Sequence, residues 1–113
     1  MDSFLKKIRF IVNNENFKLE VNFKLLKRSN DLSNSIYTNY NTLMILNYKL
    51  EDVINEICML NNDDYYETIM DVLYDNILLY VFKKVIKENL IYIKLTIENE
   101  KIIVCISFHI SNK

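Results

Sequence analysis

Two alternating apolar segments between Leu90 and Ile110 constrain the fold more than any other stretch of this chain. Both segments are rich in β-branched residues, and the short polar sequence Glu-Asn-Glu-Lys connects them. Alternation with a period of two is typical of strands that are buried on one face, and a short polar connection between two such strands predicts a β-hairpin. We therefore expect an antiparallel sheet in the C-terminal half of the chain.

The two faces of this predicted hairpin differ in chemistry, because successive side chains of a strand point to opposite sides. One face should be wholly apolar, with Ile91, Ile93, Leu95 and Ile97 on the first arm and Ile102, Val104, Ile106, Phe108 and Ile110 on the second. The other face should carry Tyr92, Lys94, Ser107 and His109, which is the only histidine of the chain.

The register of the hairpin follows from keeping the two apolar faces together, since a slip by one residue would set an apolar face beside a mixed one. The pairing that satisfies this condition places Ile97 opposite Ile102. It also places Lys94 opposite Cys105 and Tyr92 opposite Ser107. His109 should then lie diagonally from Tyr92, within reach of its side chain.

The segments before the hairpin predict helices first and strands later. Apolar residues at helical spacing indicate a first helix that is capped by Asp2 or Ser3 and ends near Asn13. The same spacing indicates a short helix over 40–46 and a helix over 50–60. The short helix should end at Asn47 in the left-handed conformation. Alternation indicates strands over 17–24 and 79–86, while 27–39 should form a loop and 65–76 has no clear period. The order predicts one α+β domain over residues 1–113, with helices in the N-terminal half and an antiparallel sheet of consecutive hairpins in the C-terminal half.

Composition narrows the possible functions. The chain has no glycine, which excludes the glycine-rich loops that bind phosphates in P-loop and dinucleotide-binding enzymes, and turns that need a positive φ should use asparagine instead. The formal net charge is −1, so a role with nucleic acid would need a local basic patch.

No apolar run approaches the roughly 18 residues that span a membrane and no signal peptide is evident, so we expect a cytoplasmic location. Cys58 and Cys105 lack the spacing of metal ligands and should be reduced, packed thiols.

The polar face of the hairpin combines residue types that suit acid–base chemistry without a metal. Histidine titrates near neutral pH, so it can accept and donate a proton, and a nearby lysine supplies positive charge for a phosphate. RNA cleavage fits this set, because the 2′-hydroxyl of the substrate is the nucleophile. The alternative is that His109 is a surface residue, that the tyrosines are ordinary packing, and that Lys83 and Lys84 are solvated charges.

Several segments resemble one protein family. The sequences Tyr80-Val81-Phe82, Ile91-Tyr92-Ile93-Lys94-Leu95 and Val104-Cys105-Ile106-Ser107-Phe108-His109 resemble the C-terminal half of the MqsR family of toxins. The likeness continues back through Leu50-Glu51-Asp52-Val53-Ile54 and Asp64-Tyr65-Tyr66, so that it covers roughly residues 43–110. The family consists of mRNA interferases of type II toxin–antitoxin systems with an α+β fold akin to RelE. The resemblance therefore implies this fold, a ribonuclease activity and a cognate antitoxin.

The resemblance also implies roles for individual residues. Tyr92 matches the catalytic tyrosine of the family and Lys94 matches the lysine two residues later. His109 stands where the best-known members have a catalytic lysine after Ser-Phe and where other branches have histidine. The expected contacts with RNA are Tyr80, Lys83, Lys84 and Ser107.

Two positions depart from the family pattern. Glu67 replaces a lysine that follows Asp-Phe-Tyr in the best-known members, and Val81 replaces a glutamine, while Tyr80 stands in for the tryptophan before it. A carboxylate near the phosphate site would repel RNA. Our first expectation is a cytoplasmic toxin that cleaves mRNA without metal or cofactor and is held inactive by an antitoxin. The second is a non-catalytic interaction module on the same fold. A packed protein of unrelated function is the third possibility.

Overall fold

The chain folds into helices followed by a sheet, and the computed structural model describes residues 1–26, 37–72 and 76–111. The helices are α1 (Asp2–Asn13), α2 (Leu19–Asn22), α3 (Asn39–Leu46) and α4 (Leu50–Cys58). The strands are β1 (Phe23–Leu25), β2 (Tyr65–Asp71), β3 (Ile77–Ile86), β4 (Asn89–Glu98) and β5 (Ile102–Ile110). A 3₁₀ turn, Asn62–Asp64, precedes β2.

The five strands form one sheet in the order β1-β5-β4-β3-β2. Strands β2 to β5 are antiparallel neighbours in chain order, and β1 lies parallel to β5 at one edge of the sheet. Three successive hairpins therefore build most of the sheet, as expected for chain segments that are close in sequence. This arrangement confirms the predicted α+β class and the consecutive hairpins of the C-terminal half.

The sheet has two unlike sides. Helices α1 and α4 pack on one side, which we call the helix face, and Ile57 of α4 is fully buried there together with Phe82 and Ile93 of the sheet. Burial of these apolar surfaces is the main favourable term that holds the helices on the sheet. The opposite side, which we call the polar face, carries Lys83, Tyr92, Lys94 and His109.

The helix boundaries agree closely with the pattern of the sequence. Helix α1 ends at Asn13, and α3 ends before Asn47, which adopts the left-handed conformation with φ of 57°. Helix α4 begins at Leu50, where the Asp52 carboxylate accepts a hydrogen bond from the Lys49 backbone N–H. The cap of α1 differs from the prediction, because the helix starts one residue earlier with Met1 in the N-cap position. No helix in these described parts of the chain is long and apolar enough to span a bilayer.

The predicted strand over 17–24 is largely wrong. Residues Leu19–Asn22 form one turn of helix, and the Asn22 side chain accepts a hydrogen bond from the Lys18 backbone N–H at its start. Only Phe23–Leu25 are extended, because these are the residues that meet β5. Residues 27–36 of the predicted loop lie outside the described residues, and β2 occupies most of the segment that showed no clear period.

The turns of this glycine-free chain only partly follow the expectation for asparagine. Asn47, Asn76 and Asn99 all have positive φ, as expected. Lys87 and Glu88, which connect β3 to β4, also have positive φ, at 49° and 69°. Two residues of this conformation form the type I′ turn, whose twist matches that of the flanking strands, so the geometry of the hairpin overrides the preference for asparagine or glycine.

Candidate functional site

The β4–β5 hairpin has a different register from the predicted one. Ile97 pairs with Ile103, not with Ile102, because the connection contains three residues after Glu98. A β-bulge then shifts the pairing by one more residue between Lys94 and Leu95, and it leaves Ile106 without a partner in β4. Past the bulge the register places Tyr92 directly opposite His109 and Lys94 directly opposite Ser107. The predicted pairs of Tyr92 with Ser107 and of Lys94 with Cys105 are therefore wrong.

The bulge also redistributes the apolar residues of β5, since an extra residue interrupts the alternation of a strand. Ile103 and Cys105 lie in the main core with Phe108 and Ile110. Val104 and Ile106, with Ile102 packed against them, instead form a small cluster with Leu79 of β3. The prediction that one side of the hairpin is wholly apolar is wrong for β5.

Three neighbouring strands bring a lysine, a tyrosine and the histidine into one row on the polar face. Tyr92 of β4 pairs with Lys83 of β3 on one side and with His109 of β5 on the other. The rings of Tyr92 and His109 are stacked, with centroids 5.3 Å apart and planes inclined by 18°. All three side chains are partly exposed, so a ligand on this face could contact each of them.

The imidazole of His109 is oriented by the backbone. Its Nδ1 lies 3.1 Å from the carbonyl oxygen of Ile110. A carbonyl oxygen can only accept a hydrogen bond, so we assign the proton of the neutral ring to Nδ1. This tautomer leaves the lone pair on Nε2, which is the nitrogen that could take a proton from a bound molecule.

Lys94 adds positive charge to the same face. Its Nζ lies 6.0 Å from the centroid of the Tyr92 ring, at the outer limit of a cation–π contact. Ser107 pairs with Lys94 but is only 2% exposed, so its hydroxyl is poorly accessible to a large substrate.

Tyr66 is a residue of this region that the sequence reasoning missed. It lies at the irregularity in the pairing of β2 with β3 and is 56% exposed. The Nζ of Lys83 lies 4.0 Å from the centroid of its ring, which is a close cation–π contact. The available signal was its position in the Asp64-Tyr65-Tyr66 motif, but the segment showed no strand pattern that could have assigned it to a face.

Two of the expected RNA contacts lie on the other side of the sheet. Tyr80 is on the helix face, where its ring stacks on that of Phe4 with centroids 4.0 Å apart. The Nζ of Lys84 lies 3.3 Å from a carboxylate oxygen of Glu56 in α4. The structure thus brings Tyr92, Lys94, His109, Ser107 and Lys83 together and separates Tyr80 and Lys84 from them.

Glu67 and Val81, the two departures from the family pattern, lie beside Lys94 of the polar face. Val81 pairs with Lys94 on one side and with Glu67 on the other, so the three residues form one row across the sheet. Val81 is fully buried, whereas Glu67 is exposed. The carboxylate of Glu67 therefore adds negative charge to the β2 end of this face.

Both cysteines are free thiols, as expected. Cys105 is fully buried, and its Sγ donates a hydrogen bond to the carbonyl oxygen of Ser107. Burial raises the pKa of the Cys105 thiol strongly, and burial likewise raises the pKa of Cys58 while the nearby Arg9 lowers it. A raised pKa keeps a thiol protonated and weakly nucleophilic, so neither cysteine suits nucleophilic catalysis.

Comparison with protein families gives a match that covers most of the chain after α1. The family model described as "Motility quorum-sensing regulator, toxin of MqsA", that of the MqsR toxins, matches residues 15–110. The match begins well before residue 43, so it includes α2 and β1 in addition to the hairpins. A search of curated proteins finds no match to the chain. Because the family model spans most of the sequence and includes the Tyr92–His109 pair, this chain belongs to the MqsR toxins, the toxin partners in toxin–antitoxin systems.

Proposed function

We propose that this toxin is an endoribonuclease that cleaves mRNA in the cytoplasm and uses the polar face as its active site. The observation that carries the proposal is the cross-strand row of Lys83, Tyr92 and His109, with the stacked Tyr92 and His109 rings at 5.3 Å. A lysine, a phenol and an imidazole side by side can bind a phosphodiester and move protons at neutral pH.

The proposed chemistry uses the 2′-hydroxyl of RNA as the nucleophile. A base takes the 2′-hydroxyl proton while the 2′-oxygen forms a bond to phosphorus and the bond from phosphorus to the 5′-oxygen breaks. An acid gives a proton to the departing 5′-oxygen, so the products are a 2′,3′-cyclic phosphate and a 5′-hydroxyl end. His109 Nε2 is the proposed proton acceptor or donor, because the Ile110 carbonyl occupies Nδ1.

Tyr92 and Lys94 assist this step in the proposal. The Tyr92 hydroxyl is suited to orienting the phosphate or to sharing the proton transfer, since its ring is held against the imidazole. The ammonium group of Lys94 offers charge that stabilises the extra negative charge on phosphorus in the transition state.

The neighbouring residues Lys83 and Tyr66 are proposed to bind the RNA strand. An exposed aromatic ring can stack on a base, and a lysine beside it can contact a backbone phosphate. The Lys83–Tyr66 contact of 4.0 Å keeps these two groups together at the β2 side of the Tyr92–His109 pair.

The test in cells is expression of the chain alone in a bacterium. The parent protein should arrest growth and deplete mRNA, whereas His109→Gln at equal soluble level should permit growth. Normal growth with intact mRNA in cells that contain the soluble parent protein would contradict the proposal.

The cognate antitoxin is proposed to cover the polar face or to hold the chain where RNA cannot reach it. The family description names an antitoxin partner, MqsA, and only a block of the proposed site would neutralise a nuclease directly. A purified complex that still binds and cleaves RNA at the rate of the free toxin would rule this out.

A non-catalytic interaction module remains the second candidate, and Glu67 is the observation that favours it. Its exposed carboxylate lies in the same row as Lys94, where it opposes the binding of a polyanion. A protein that binds its antitoxin tightly but cleaves no RNA at any concentration would identify this second function.

A further inference from the structure

The outer edge of β5 is held by two different parts of the chain. Strand β1 pairs with residues Ile103–Cys105, and the Leu26 backbone N–H extends this pairing to the carbonyl oxygen of Cys105. Beyond this point side chains from the first turns of α3 hydrogen-bond to the backbone of β5. The side of β5 that faces away from β4 is therefore covered first by β1 and then by α3.

Asn39, the first residue of α3, replaces a paired strand at the bulge. Its Nδ2 donates to the carbonyl oxygens of Leu26 and Ile106, each at 3.0 Å, and its Oδ1 accepts from the Phe108 N–H at 2.9 Å. The residue is 3% exposed, so water cannot substitute for these bonds. The amide therefore bridges the end of β1 to both sides of the β5 bulge.

Thr42, one turn later in α3, anchors Ile110, two residues beyond Phe108 in β5. Its Oγ1 accepts a hydrogen bond of 2.9 Å from the N–H of Ile110, and the residue is fully buried. The carbonyl oxygen of the same Ile110 lies against His109 Nδ1 at 3.1 Å. The backbone of Ile110 thus links the Thr42 hydroxyl, which binds its N–H, to the imidazole, which lies against its carbonyl oxygen.

His109 lies between the two anchored residues, Phe108 and Ile110. Its side chain reaches Tyr92 only because the bulge shifts the register by one residue, and a slip by one residue would turn the imidazole to the other face of the sheet. The Asn39 amide holds the Ile106 carbonyl at that bulge. Side chains of α3 therefore control both the register and the backbone acceptor that orient the imidazole.

We propose that Asn39 and Thr42 are positioning residues for His109: they fix the β5 bulge and the Ile110 peptide so that the imidazole keeps its proton on Nδ1 and faces Tyr92. Both residues are buried, so we expect them to act through the backbone of β5 and not on the substrate. The effect on RNA cleavage rests on the proposed function, whereas the effect on the imidazole does not, and the two can be measured separately.

The imidazole effect can be read by nitrogen NMR without RNA. His109 is the only histidine, so the ¹⁵N resonances of the ring report this residue alone. At a pH where the ring is neutral, the parent protein should show predominantly the Nδ1–H tautomer. A parent protein with predominantly the Nε2–H tautomer would overturn the proposal without any variant.

Thr42→Val keeps the shape of the side chain but removes the oxygen that accepts from Ile110. Asn39→Asp keeps an acceptor for Phe108 but places a carboxylate against two carbonyl oxygens. Both variants should move the ring toward a mixture of tautomers and reduce the nuclear Overhauser contacts between the His109 and Tyr92 rings. Thr42→Ser, which retains the hydroxyl, should restore the parent spectrum.

Thr38→Val is the matched control on the same helix. Thr38 is also buried, and its Oγ1 accepts from the Asn41 N–H as the cap of α3. This variant should lower stability but leave the His109 tautomer unchanged. If Thr38→Val changes the ring as much as Thr42→Val does, the effect is general loosening of α3 and the proposal fails.

The cleavage assay then links the imidazole to the rate. Thr42→Val and Asn39→Asp should lower kcat by at least about tenfold with a smaller change in KM, since misplacement of a catalytic group affects mainly the chemical step. In a His109→Gln background, Thr42→Val should have no further effect on kcat. An equal further loss in that background would show that Thr42 acts elsewhere. A parent-like rate for His109→Gln alone would refute the proposed function and leave the tautomer result standing.

Discussion

The two faces of the sheet use the same residue types for different purposes. On the helix face, Tyr80 stacks against α1 and Lys84 pairs with a carboxylate of α4. On the polar face, Tyr92 stacks on His109, and Lys83 contacts an exposed tyrosine. Lys83 and Lys84 are adjacent in sequence, so one step along β3 decides whether a lysine pairs with a helix carboxylate or lies in the proposed active site.

This contrast shows that residue type alone does not tell which tyrosines and lysines belong to the proposed active site. The side of the sheet on which each residue lies, set by its odd or even position along the strand, decides this. Tyrosine and lysine occur on both sides, but only one side places them beside the histidine. The comparison can be tested by changing matched residues on the two faces, with a separate readout for cleavage and for stability.

The largest effect should come from His109→Gln on the polar face. Glutamine keeps the approximate size and hydrogen bonding but cannot titrate near neutral pH. The cleavage rate of purified protein should fall by at least about a hundredfold, the lower end of the range for loss of a general acid or base. The free energy of unfolding, from urea denaturation, should stay within about 1 kcal/mol of the parent. A parental rate between pH 6 and pH 8 would remove histidine from the mechanism.

The pair Lys83→Gln and Lys84→Gln tests the two faces directly. Lys83→Gln should weaken RNA binding by about tenfold and reduce by about one the slope of log affinity against log salt, because one phosphate contact is lost. Lys84→Gln should leave RNA affinity near the parent value but lower the free energy of unfolding by about 1–3 kcal/mol, since the mostly buried Glu56 loses its cationic partner. The reverse pattern would contradict the assignment of the faces.

At Glu67, which departs from the family pattern, a substitution should raise RNA affinity instead of lowering it. Glu67→Lys restores the charge that the best-known members of the family carry, and it removes a carboxylate from the row that contains Lys94. RNA affinity should rise severalfold at low salt, and the gain should shrink as salt screens the charges. Glu51→Lys, an exposed change of equal charge on α4, is the control and should raise affinity less. Equal gains from both variants would indicate a general charge effect.

The smallest effect concerns Tyr48, whose hydroxyl donates a hydrogen bond to Glu56 of α4. Burial, followed by the hydrogen bond to Glu56, raises the pKa of Tyr48 from its ordinary value of 10.0 to about 12. The native protein therefore holds this proton more tightly than the unfolded chain, so the stabilisation is complete below about pH 10 and is lost as the pH rises toward 12. Tyr48→Phe should flatten the fall of unfolding free energy across this window. An unchanged slope in Tyr48→Phe would assign the alkaline loss to other groups.

Much of the fold was predictable because its signals are local. Helices α1, α3 and α4 and the last three strands follow from apolar periodicity, and the grouping of Tyr92, Lys94 and His109 on one face follows from alternation. The turn residue Asn47 was also predictable, since a left-handed position at the end of a helix favours asparagine when glycine is absent.

The errors arose where distant residues decide the local structure. The alternation over 17–24 resembled a strand, but only Phe23 and Lys24 of this segment pair with β5. The register error arose from the bulge at Ile106, whose carbonyl is bound by Asn39, a residue far away in sequence. The sequence of β3 does not contain its register with β4, so it could not show that Tyr80 and Lys84 lie on the helix face and Lys83 on the polar face. Tyr66 was missed because β2 lies at a sheet edge and is mostly exposed, so it lacks a clear apolar period.

The bonds between α3 and β5 also have a kinetic consequence. They join residues that are 67 to 69 positions apart, whereas the hairpins join neighbours in the chain. Contacts that close such long loops form slowly compared with local ones, because the loss of chain entropy precedes the gain from the contact. A refolding chain should therefore acquire hairpin structure before α3 attaches to β5. In a refolding experiment, recovery of the proposed ribonuclease activity should follow the slowest phase and lag behind the circular dichroism signal of the sheet.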